Sequence, residues 1–376
     1  MSTMNYINSQ LLVLVLMIMM PTTAFAENET MTLIEQYRQG VTHWPEAKLD
    51  DGVEVQPLMP LPQQIEFPLD NPFSEEKQQL GKHLFFDRRL SQSQQIACAS
   101  CHDPDLAWAD GRRKAIGHNR IQGDINSPSI VDTGLLKQLF WDGRVNSLEE
   151  QTLASWTNPI EMAANPENAA KRLAKTASYP ALFKTAFGDE NITPERIVQA
   201  IATFVRTVRS SPSDFDRFMD GKQTALTDQQ IRGLHLFRTK ARCIHCHNGP
   251  LLSDNQFHHL GTSFDQVGNF QGRYKMTGKA EDVGAFRTPA LRTGIASPPY
   301  MHNGLVTDLD MLLAMYNMGW WQNAKLDDKT DDIPTAQLSP LIKPLDLSKQ
   351  ELADLKAFLL GLSSHLPQPL LPEELP

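Results

Sequence analysis

The chain has 376 residues, a net charge of −9 at neutral pH and a pI near 5.7. This length is sufficient for two ordinary domains. The acidic balance, with no visible cluster of basic residues, argues against a nucleic-acid partner and is compatible with a positively charged protein partner.

The first 26 residues have the composition of a secretory signal peptide. They contain no Asp, Glu, Lys or Arg, and an unbroken apolar run extends from Leu11 to Met20. A small-x-small cleavage site, Ala24-Phe25-Ala26, follows this run, which is too short to span a bilayer. Because the segment before the run lacks a basic residue, an uncleaved membrane anchor remains the alternative to a cleaved signal peptide. No later apolar run reaches membrane length, so we expect a soluble periplasmic protein without a stable membrane span.

Residues 27–70 are rich in proline and acidic groups. A short helix is expected within residues 31–40, and the remainder is expected to be an extended arm lying on a domain. The prolines of this arm are Pro45, Pro57, Pro60, Pro62 and Pro68.

Two C-x-x-C-H motifs, Cys98–His102 and Cys243–His247, use all four cysteines of the chain. This is the attachment pattern of a c-type haem, in which two thiols bond the haem vinyl groups and the histidine binds the iron. Two disulfides or a four-thiolate zinc site would leave the trailing histidines unexplained. The predicted haem-attaching residues are Cys98, Cys101, His102, Cys243, Cys246 and His247.

An internal repeat surrounds these motifs. Ser74 is expected to begin a helix that carries Gly81–Phe85 before the first motif. Thr227 is expected to begin a helix that carries Gly233–Phe237 before the second. Each half also ends in an amphipathic helix, the first capped by Thr193 and the second by a Ser348 capping box. The apolar positions of these two helices are Ile197, Ile201, Phe204 and Val208 in the first, and Leu352, Leu355, Leu359 and Leu362 in the second.

These features predict a mainly α fold: two tandem class I cytochrome c-like helical domains, each with one covalently bound haem c. The domains are expected at residues 71–222 and 223–376, divided near Gly221. A haem also needs a sixth ligand, or a vacancy where substrate binds. His118, which follows His102 by 16 residues, is a candidate ligand of the first iron or a surface-loop histidine, and its spacing alone favours neither.

From about residue 71 to its C-terminus, the chain resembles the bacterial dihaem cytochrome c peroxidase and MauG family. The segments that carry this resemblance, besides the two haem motifs, are Gly117-His118, Asn126-Ser127-Pro128, 140–144, 148–151, 158–162, 286–292 and 299–304.

The resemblance implies roles for several residues. The haem on His102 would be the one that binds peroxide, with Gln151 and Glu161 as the distal pair that acts on it. A carboxyl group in a pocket can move a proton between the two peroxide oxygens. Trp141 matches an indole between the two haems, although core packing alone would also explain it. Without its flanking motif, Glu161 would be taken for a surface carboxylate.

The resemblance also implies a calcium site at Asn126, Ser297 and Pro299, where hard oxygen ligands would suit Ca²⁺. Only Asn126 would offer a side chain, and Ser297 replaces the usual Thr.

Three positions bear on which branch of the family the chain follows. Tyr316 stands where the peroxidases have a Met ligand, as in the MauG branch; Met315 and Met318 are neighbouring alternatives. His118 matches the removable ligand of the peroxidases, which MauG lacks. Ser155 replaces the Pro that usually lies four residues after the distal Gln.

The first interpretation is a periplasmic dihaem peroxidase that reduces H₂O₂ to water with electrons from a small cytochrome c or another periplasmic donor. The enzyme alternative is a MauG-like protein that oxidises Trp or Tyr side chains of a partner protein through high-valent iron. The alternative outside the enzymes is a dihaem cytochrome that only transfers electrons. The sequence also permits a homodimer.

Overall fold

Helices provide nearly all of the regular structure in the described residues. The structure is a computed structural model, and it describes Met1 and residues 31–262, 271–320, 333–363 and 366–368. Apart from Met1, the predicted signal peptide lies outside the described residues. Leu33–Pro376 form one compact unit. Its helices are α1 (Leu33–Arg38), α2 (Glu75–Phe86), α3 (Leu148–Thr157), α4 (Pro166–Leu173), α5 (Tyr179–Phe187), α6 (Pro194–Arg206), α7 (Asp214–Met219), α8 (Asp228–Arg238), α9 (Tyr274–Thr277), α10 (Leu291–Gly294), α11 (Leu309–Asn317) and α12 (Lys349–Gly361).

Strand structure is confined to one small ribbon in this part of the chain. Strands β1 (Phe257–His258) and β2 (Phe286–Arg287) pair antiparallel, with Phe257 opposite Arg287. The prediction of a mainly α fold with little strand is therefore confirmed.

The helix starts lie where the cap residues predict them. Ser74, Thr193, Thr227 and Ser348 each accept a hydrogen bond from the backbone N–H three residues further on, which satisfies one of the otherwise unpaired donors of the first turn. The predicted capping box at Ser348 is present.

The two halves repeat one close helix crossing. α2 crosses α6 at Gly81, where an added Cβ would overlap the carbonyl oxygen of Ala200. α8 crosses α12 at Gly233, where an added Cβ would overlap the carbonyl oxygen of Asp354. Only glycine permits this approach of two backbones. In each crossing the first helix precedes a haem motif in the chain and the second follows it, so the sequence repeat corresponds to a repeat in the structure.

Two apolar clusters form the interior. The first extends from Leu80 to Val208 and contains the fully buried Trp108. The second is centred on the α8–α12 pair and includes Tyr37, Trp44 and the arm residue Leu58. The buried members of the first cluster end at Val208, and the second cluster already includes Phe215 and Phe218 of α7, ahead of the predicted boundary near Gly221. Among the described residues, no helix combines the length and apolar character needed to cross a bilayer.

Candidate functional site

A single cavity of about 610 Å³ contains the side chains of both C-x-x-C-H motifs. It also collects most of the other residues singled out from the sequence. The predicted site residues that line it are Cys98, Cys101, His102, Asn126, Trp141, Gln151, Glu161, Cys243, Cys246, His247, Ser297, Pro299 and Tyr316.

The first motif forms a 3₁₀ turn, Cys98–Ser100, that directs two thiols and an imidazole into the cavity. The backbone N–H groups of Cys101 and His102 both donate to the carbonyl oxygen of Cys98, at 3.1 Å. The Nδ1 atom of His102 lies 3.1 Å from the carbonyl oxygen of Trp108. Such a bond places the proton on Nδ1, so the Nε2 lone pair is available to a metal.

The second motif repeats this geometry. It forms the 3₁₀ turn Cys243–His245, and the N–H of His247 donates to the carbonyl oxygen of Cys243 at 2.8 Å. The Nδ1 atom of His247 lies 2.9 Å from the carbonyl oxygen of Leu252. Both histidines are therefore oriented by a backbone carbonyl from the loop that follows them.

The electrostatics fit neutral ligands and protonated thiols. Burial raises the pKa of Cys98 and of Cys243 to about 12 and lowers the pKa of His102 to about 4. All four cysteines, each in the described part of the chain, are free. Paired thiols with a carbonyl-oriented imidazole in a mainly apolar cavity are the donor set that covalently bound haem c requires.

Gln151 and Glu161 meet beside the first motif. α3 carries Gln151 and ends at Thr157, and the turn that follows brings Glu161 back to the same wall of the cavity. The Nδ2 atom of Asn158 donates to Glu161 Oε1 at 2.7 Å, and the Nε2 atom of Gln151 donates to Ser155 Oγ at 3.0 Å. Both polar side chains are therefore held in place by neighbours on the same segment.

Burial raises the pKa of Glu161 above its ordinary value, although hydrogen bonds from Ser155 and Asn158 and the charge of Arg144 oppose the shift. A carboxyl group whose pKa is raised keeps its proton to a higher pH than an exposed one, which suits a group that takes up and releases a proton. The arrangement can therefore support general acid–base chemistry.

His118 does not line the cavity. Its backbone N–H donates to the carbonyl oxygen of Glu161 at 2.7 Å, and its Nδ1 atom is buried without a hydrogen-bond partner. Gly117 lines the cavity, and an added Cβ there would overlap the carbonyl oxygen of Ile160. The Gly117-His118 segment is therefore fitted directly against the loop that carries Glu161.

Trp141 faces the cavity from a loop before α3. Its Nε1 atom donates to the carbonyl oxygen of Asn126 at 2.9 Å, and its ring lies edge-on to His302 with a centroid distance of 6.4 Å. The carbonyl oxygen of Trp141 accepts a 2.8 Å bond from the N–H of Arg287, which lies beyond the second motif in the chain. Trp141 thus connects segments from both halves.

The three predicted calcium ligands line the same cavity as Trp141. Asn126 Nδ2 donates to the carbonyl oxygen of Arg112 at 2.8 Å, which leaves Oδ1 as the acceptor of this amide. An amide oxygen with the carbonyl oxygens of Ser297 and Pro299 would be an all-oxygen set, the type that Ca²⁺ prefers.

Three residues are candidate sixth ligands of the second haem. Of these three, Tyr316 on α11 lines the cavity, and Met315 and Met318 do not. Met318 is 67% exposed, and Met315 is 7% exposed in a small cluster with Val306 and Trp320. Burial, with the nearby Cys246 and Cys243, raises the pKa of Tyr316.

Sequence reasoning missed three partners of these groups. Two are the carbonyl oxygens of Trp108 and Leu252, which carry no side-chain signal. The third is Asn158, which directly precedes Pro159 in the segment 158–162. Its Oδ1 atom accepts from the N–H of Ile160 at 3.1 Å, so the Asx-turn tendency of asparagine could have indicated it.

Comparisons with known proteins agree with this geometry. The sequence profile of the di-haem cytochrome c peroxidase family matches residues 75–224. Cytochrome-c peroxidase IdrP1 of Pseudomonas sp. strain SCT is 36% identical over 352 residues, covering 85% of this chain and 89% of that protein. Methylamine utilization protein MauG of Methylophilus methylotrophus is 35% identical over 317 residues, covering 83% and 90% of the two chains.

Among solved structures, a MauG-like protein associated with microbial copper homeostasis superimposes with a TM-score of 0.72 at 34% identity, covering 81% of this chain and 95% of that one. The chain belongs to the di-haem cytochrome c peroxidase and MauG family. It is accordingly an oxidoreductase that uses peroxide and carries two covalently bound haem c groups.

Proposed function

We propose that this protein is a periplasmic peroxidase that reduces H₂O₂ to water with two electrons from a small c-type cytochrome. The balance is H₂O₂ + 2 H⁺ + 2 e⁻ → 2 H₂O. The observation that supports the proposal is the joint cavity, whose lining contains a carboxyl, an amide and a phenol together with both C-x-x-C-H motifs.

Cys98 and Cys101 would attach the first haem, with His102 as its axial ligand. Cys243, Cys246 and His247 would do the same for the second. When bound, the haems supply the iron redox chemistry that peroxide reduction requires. The carbonyl-held orientation of both imidazoles supports these assignments.

Glu161 would take a proton from one peroxide oxygen and return it to the departing one, which is the general acid–base role its burial supports. Gln151 would orient the peroxide by hydrogen bonding from the adjacent helical turn. His118 would bind the first iron in a resting state in which its segment had moved to the cavity, since it does not line the cavity in this structure, and it would leave the iron on activation. Because His118 lies against the backbone of Glu161, its release would be coupled to the distal loop.

Tyr316 would close the sixth position of the second haem, since neither Met315 nor Met318 lines the cavity. Trp141 would relay electrons between the two sites, which its contacts with both halves support. Asn126, Ser297 and Pro299 would bind Ca²⁺ next to this indole and stabilise its position.

The buried phenol of Tyr316 also supports the second candidate function, MauG-like oxidation of Trp or Tyr side chains in a partner protein. The two activities differ in what supplies the electrons. They share the cavity and the distal pair, so the choice between them rests on the donor.

The test is steady-state turnover of the dihaem protein with H₂O₂ and a reduced small cytochrome c. The proposal predicts oxidation of two cytochromes for each H₂O₂ consumed. Peroxide consumption that leaves the cytochrome reduced, with new Trp or Tyr cross-links in an added protein, would favour the MauG-like function. If the protein consumes no peroxide, both enzyme functions are rejected and the protein is an electron carrier without catalysis.

A further inference from the structure

The N-terminal arm contacts the second haem motif through Asp50. We propose that the Asp50 carboxylate balances two cations in the wall of the second haem site and so keeps the reduction potential of that haem lower than it would otherwise be. The proposal needs only that the second haem is bound, and it does not depend on what supplies or takes the electrons. It gives a role to the arm, which the peroxide chemistry does not use.

The carboxylate of Asp50 forms ion pairs with Arg242 and Lys343. Arg242 Nη1 and Nη2 donate to Asp50 Oδ1 and Oδ2 at 2.5 and 2.6 Å. Lys343 Nζ donates to Asp50 Oδ2 at 2.8 Å. Both cations line the cavity, whereas Asp50 is not among its lining residues. Two cationic side chains of the cavity wall therefore share one carboxylate that the arm supplies.

The two cations come from the segments that would hold the second haem. Arg242 directly precedes the second C-x-x-C-H motif. Lys343 lies in a segment fixed to the end of α11, because the N–H of Leu345 donates to the carbonyl oxygen of Asn317 at 3.0 Å. Asn317 directly follows Tyr316, the proposed sixth ligand. The ion pairs of the arm therefore join the attachment segment to the segment of the sixth ligand.

The backbone of the arm is fixed beside the motif without using the carboxylate. The N–H of Asp50 donates to His245 Nε2 at 3.0 Å, so the imidazole proton is on Nδ1, which donates to the carbonyl oxygen of Arg242 at 2.7 Å. The N–H of Lys48 donates to the carbonyl oxygen of Arg238 at 3.0 Å. A substitution that neutralises Asp50 and keeps its size therefore removes the charge while these backbone contacts stay.

A fixed charge beside a haem changes its reduction potential, because reduction adds one negative charge to the haem. Without the Asp50 charge, the two cations are unbalanced and attract the added electron, which raises the potential. Loss of the Lys343 charge has the opposite effect. The side chains of Asp50, Arg242 and Lys343 are 26%, 19% and 53% exposed, so solvent and salt screen part of the interaction. We therefore expect a moderate shift with a defined sign.

The experiment is a spectroscopic redox titration of the dihaem protein, in which the absorption bands of each haem are followed. It compares wild type with Asp50→Asn, Lys343→Gln and the double variant. Asp50→Glu keeps the charge. Asp51→Asn is the matched control, since it removes the same charge from the exposed neighbouring residue. The haem content of each variant is measured first.

We expect Asp50→Asn to shift the equilibrium of the second haem about threefold to tenfold toward the reduced form, where tenfold corresponds to about 59 mV for a one-electron couple. Lys343→Gln should shift it toward the oxidised form by a similar factor. The double variant should lie near wild type, because the two changes of charge cancel. Asp50→Glu and Asp51→Asn should stay within about twofold of wild type.

An Asp50→Asn protein with the wild-type potential would overturn the proposal. So would a lowered potential, which is the sign expected if the arm only excludes water, since water stabilises the more highly charged ferric haem. A shift in Asp51→Asn as large as that in Asp50→Asn would show an effect of net charge alone and would also overturn it.

Two further outcomes are distinguishable. If Asp50→Asn does not retain its second haem, Lys343→Gln decides, and an unchanged or raised potential in that variant overturns the proposal. If wild type fails to turn over peroxide, the proposed function is rejected, and the measured potentials still decide the role of Asp50.

Discussion

The Nδ1 atom of His102 lies 3.1 Å from the carbonyl oxygen of Trp108, and this bond leaves Nε2 as the metal-binding atom. His247 has the same relationship to Leu252 at 2.9 Å. The two proximal sides are therefore alike. The difference between the two haem sites lies in the other cavity residues, where a carboxyl and an amide accompany the first motif and a phenol accompanies the second.

Replacement of Glu161 by Gln should slow the reaction with peroxide about a hundredfold, the usual scale for loss of a general acid–base group. The amide keeps the size of the side chain but cannot carry the proton between the oxygens. Stopped-flow mixing with H₂O₂ measures the rate. Glu167→Gln is the control, since Glu167 is exposed on α4 and outside the cavity. An unchanged rate in Glu161→Gln would remove Glu161 from the mechanism.

Replacement of Tyr316 by Met should raise the reduction potential of the second haem. A phenolate favours the oxidised metal and a thioether the reduced one, and axial ligands move haem potentials over about 0.8 V, so we expect a shift on the order of 0.1 V or more. A spectroscopic redox titration measures it. Met318→Leu, at a position 67% exposed, should leave the potential unchanged. Equal titration curves for Tyr316→Met and wild type would show that another residue is the ligand.

Replacement of Gly81 by Ala should destabilise the fold by about 1–3 kcal/mol, because the new methyl group would force α2 and α6 apart. Chemical denaturation followed by circular dichroism gives the change in free energy of unfolding. Gln79→Ala, on the exposed face of α2, should change it by less than about 0.5 kcal/mol. A Gly81→Ala protein as stable as the Gln79→Ala control would contradict the observed crossing.

The α3–α6 contact should make stability depend on acid pH. Glu149 accepts from Arg206 at 2.6 and 2.7 Å and from Asn71 at 2.7 Å. Burial raises the pKa of Glu149, but the hydrogen bonds from Arg206 and Asn71 outweigh burial and hold it below its ordinary value. This contribution is fully present above the unfolded pKa of about 4.3 and declines as the pH falls through the lower folded pKa.

At pH 7, Glu149→Gln should therefore cost about 2–3 kcal/mol, since it leaves the Arg206 charge buried without its partner. The difference from wild type should shrink as the pH falls below the unfolded pKa of about 4.3, because wild type then loses the stability that the ionised carboxylate supplies. Denaturation midpoints at several pH values measure it, with exposed Glu195→Gln as the control. A difference that is constant from pH 7 to pH 3 would exclude this titration.

The sequence predicted those features that depend on local chemistry. Helix caps at Ser74 and Ser348 depend on residues three apart, and the haem motifs need only the cysteine and histidine spacing. Tyr316 could be located by its distance from His302, because the chain between them folds as one turn and one helix. These are short-range features, and the structure contains them.

The remaining features depend on tertiary contacts that no local pattern encodes. The position of Glu161 depends on a turn after α3 that closes against Gly117. The sequence identified the replacement at Ser155 without its contact with Gln151, and it placed His118 as a candidate ligand without showing that its backbone N–H donates to the carbonyl oxygen of Glu161.

The most direct test of the central claim is to mix the dihaem protein, with and without prior reduction of one haem, with one equivalent of H₂O₂ in the absence of any donor and to follow the Soret band. The account predicts a rapid change in wild type, slowed about a hundredfold in Glu161→Gln, and reversed by two equivalents of reduced cytochrome c. A Soret band that stays unchanged in wild type, before and after prior reduction of one haem, would contradict it.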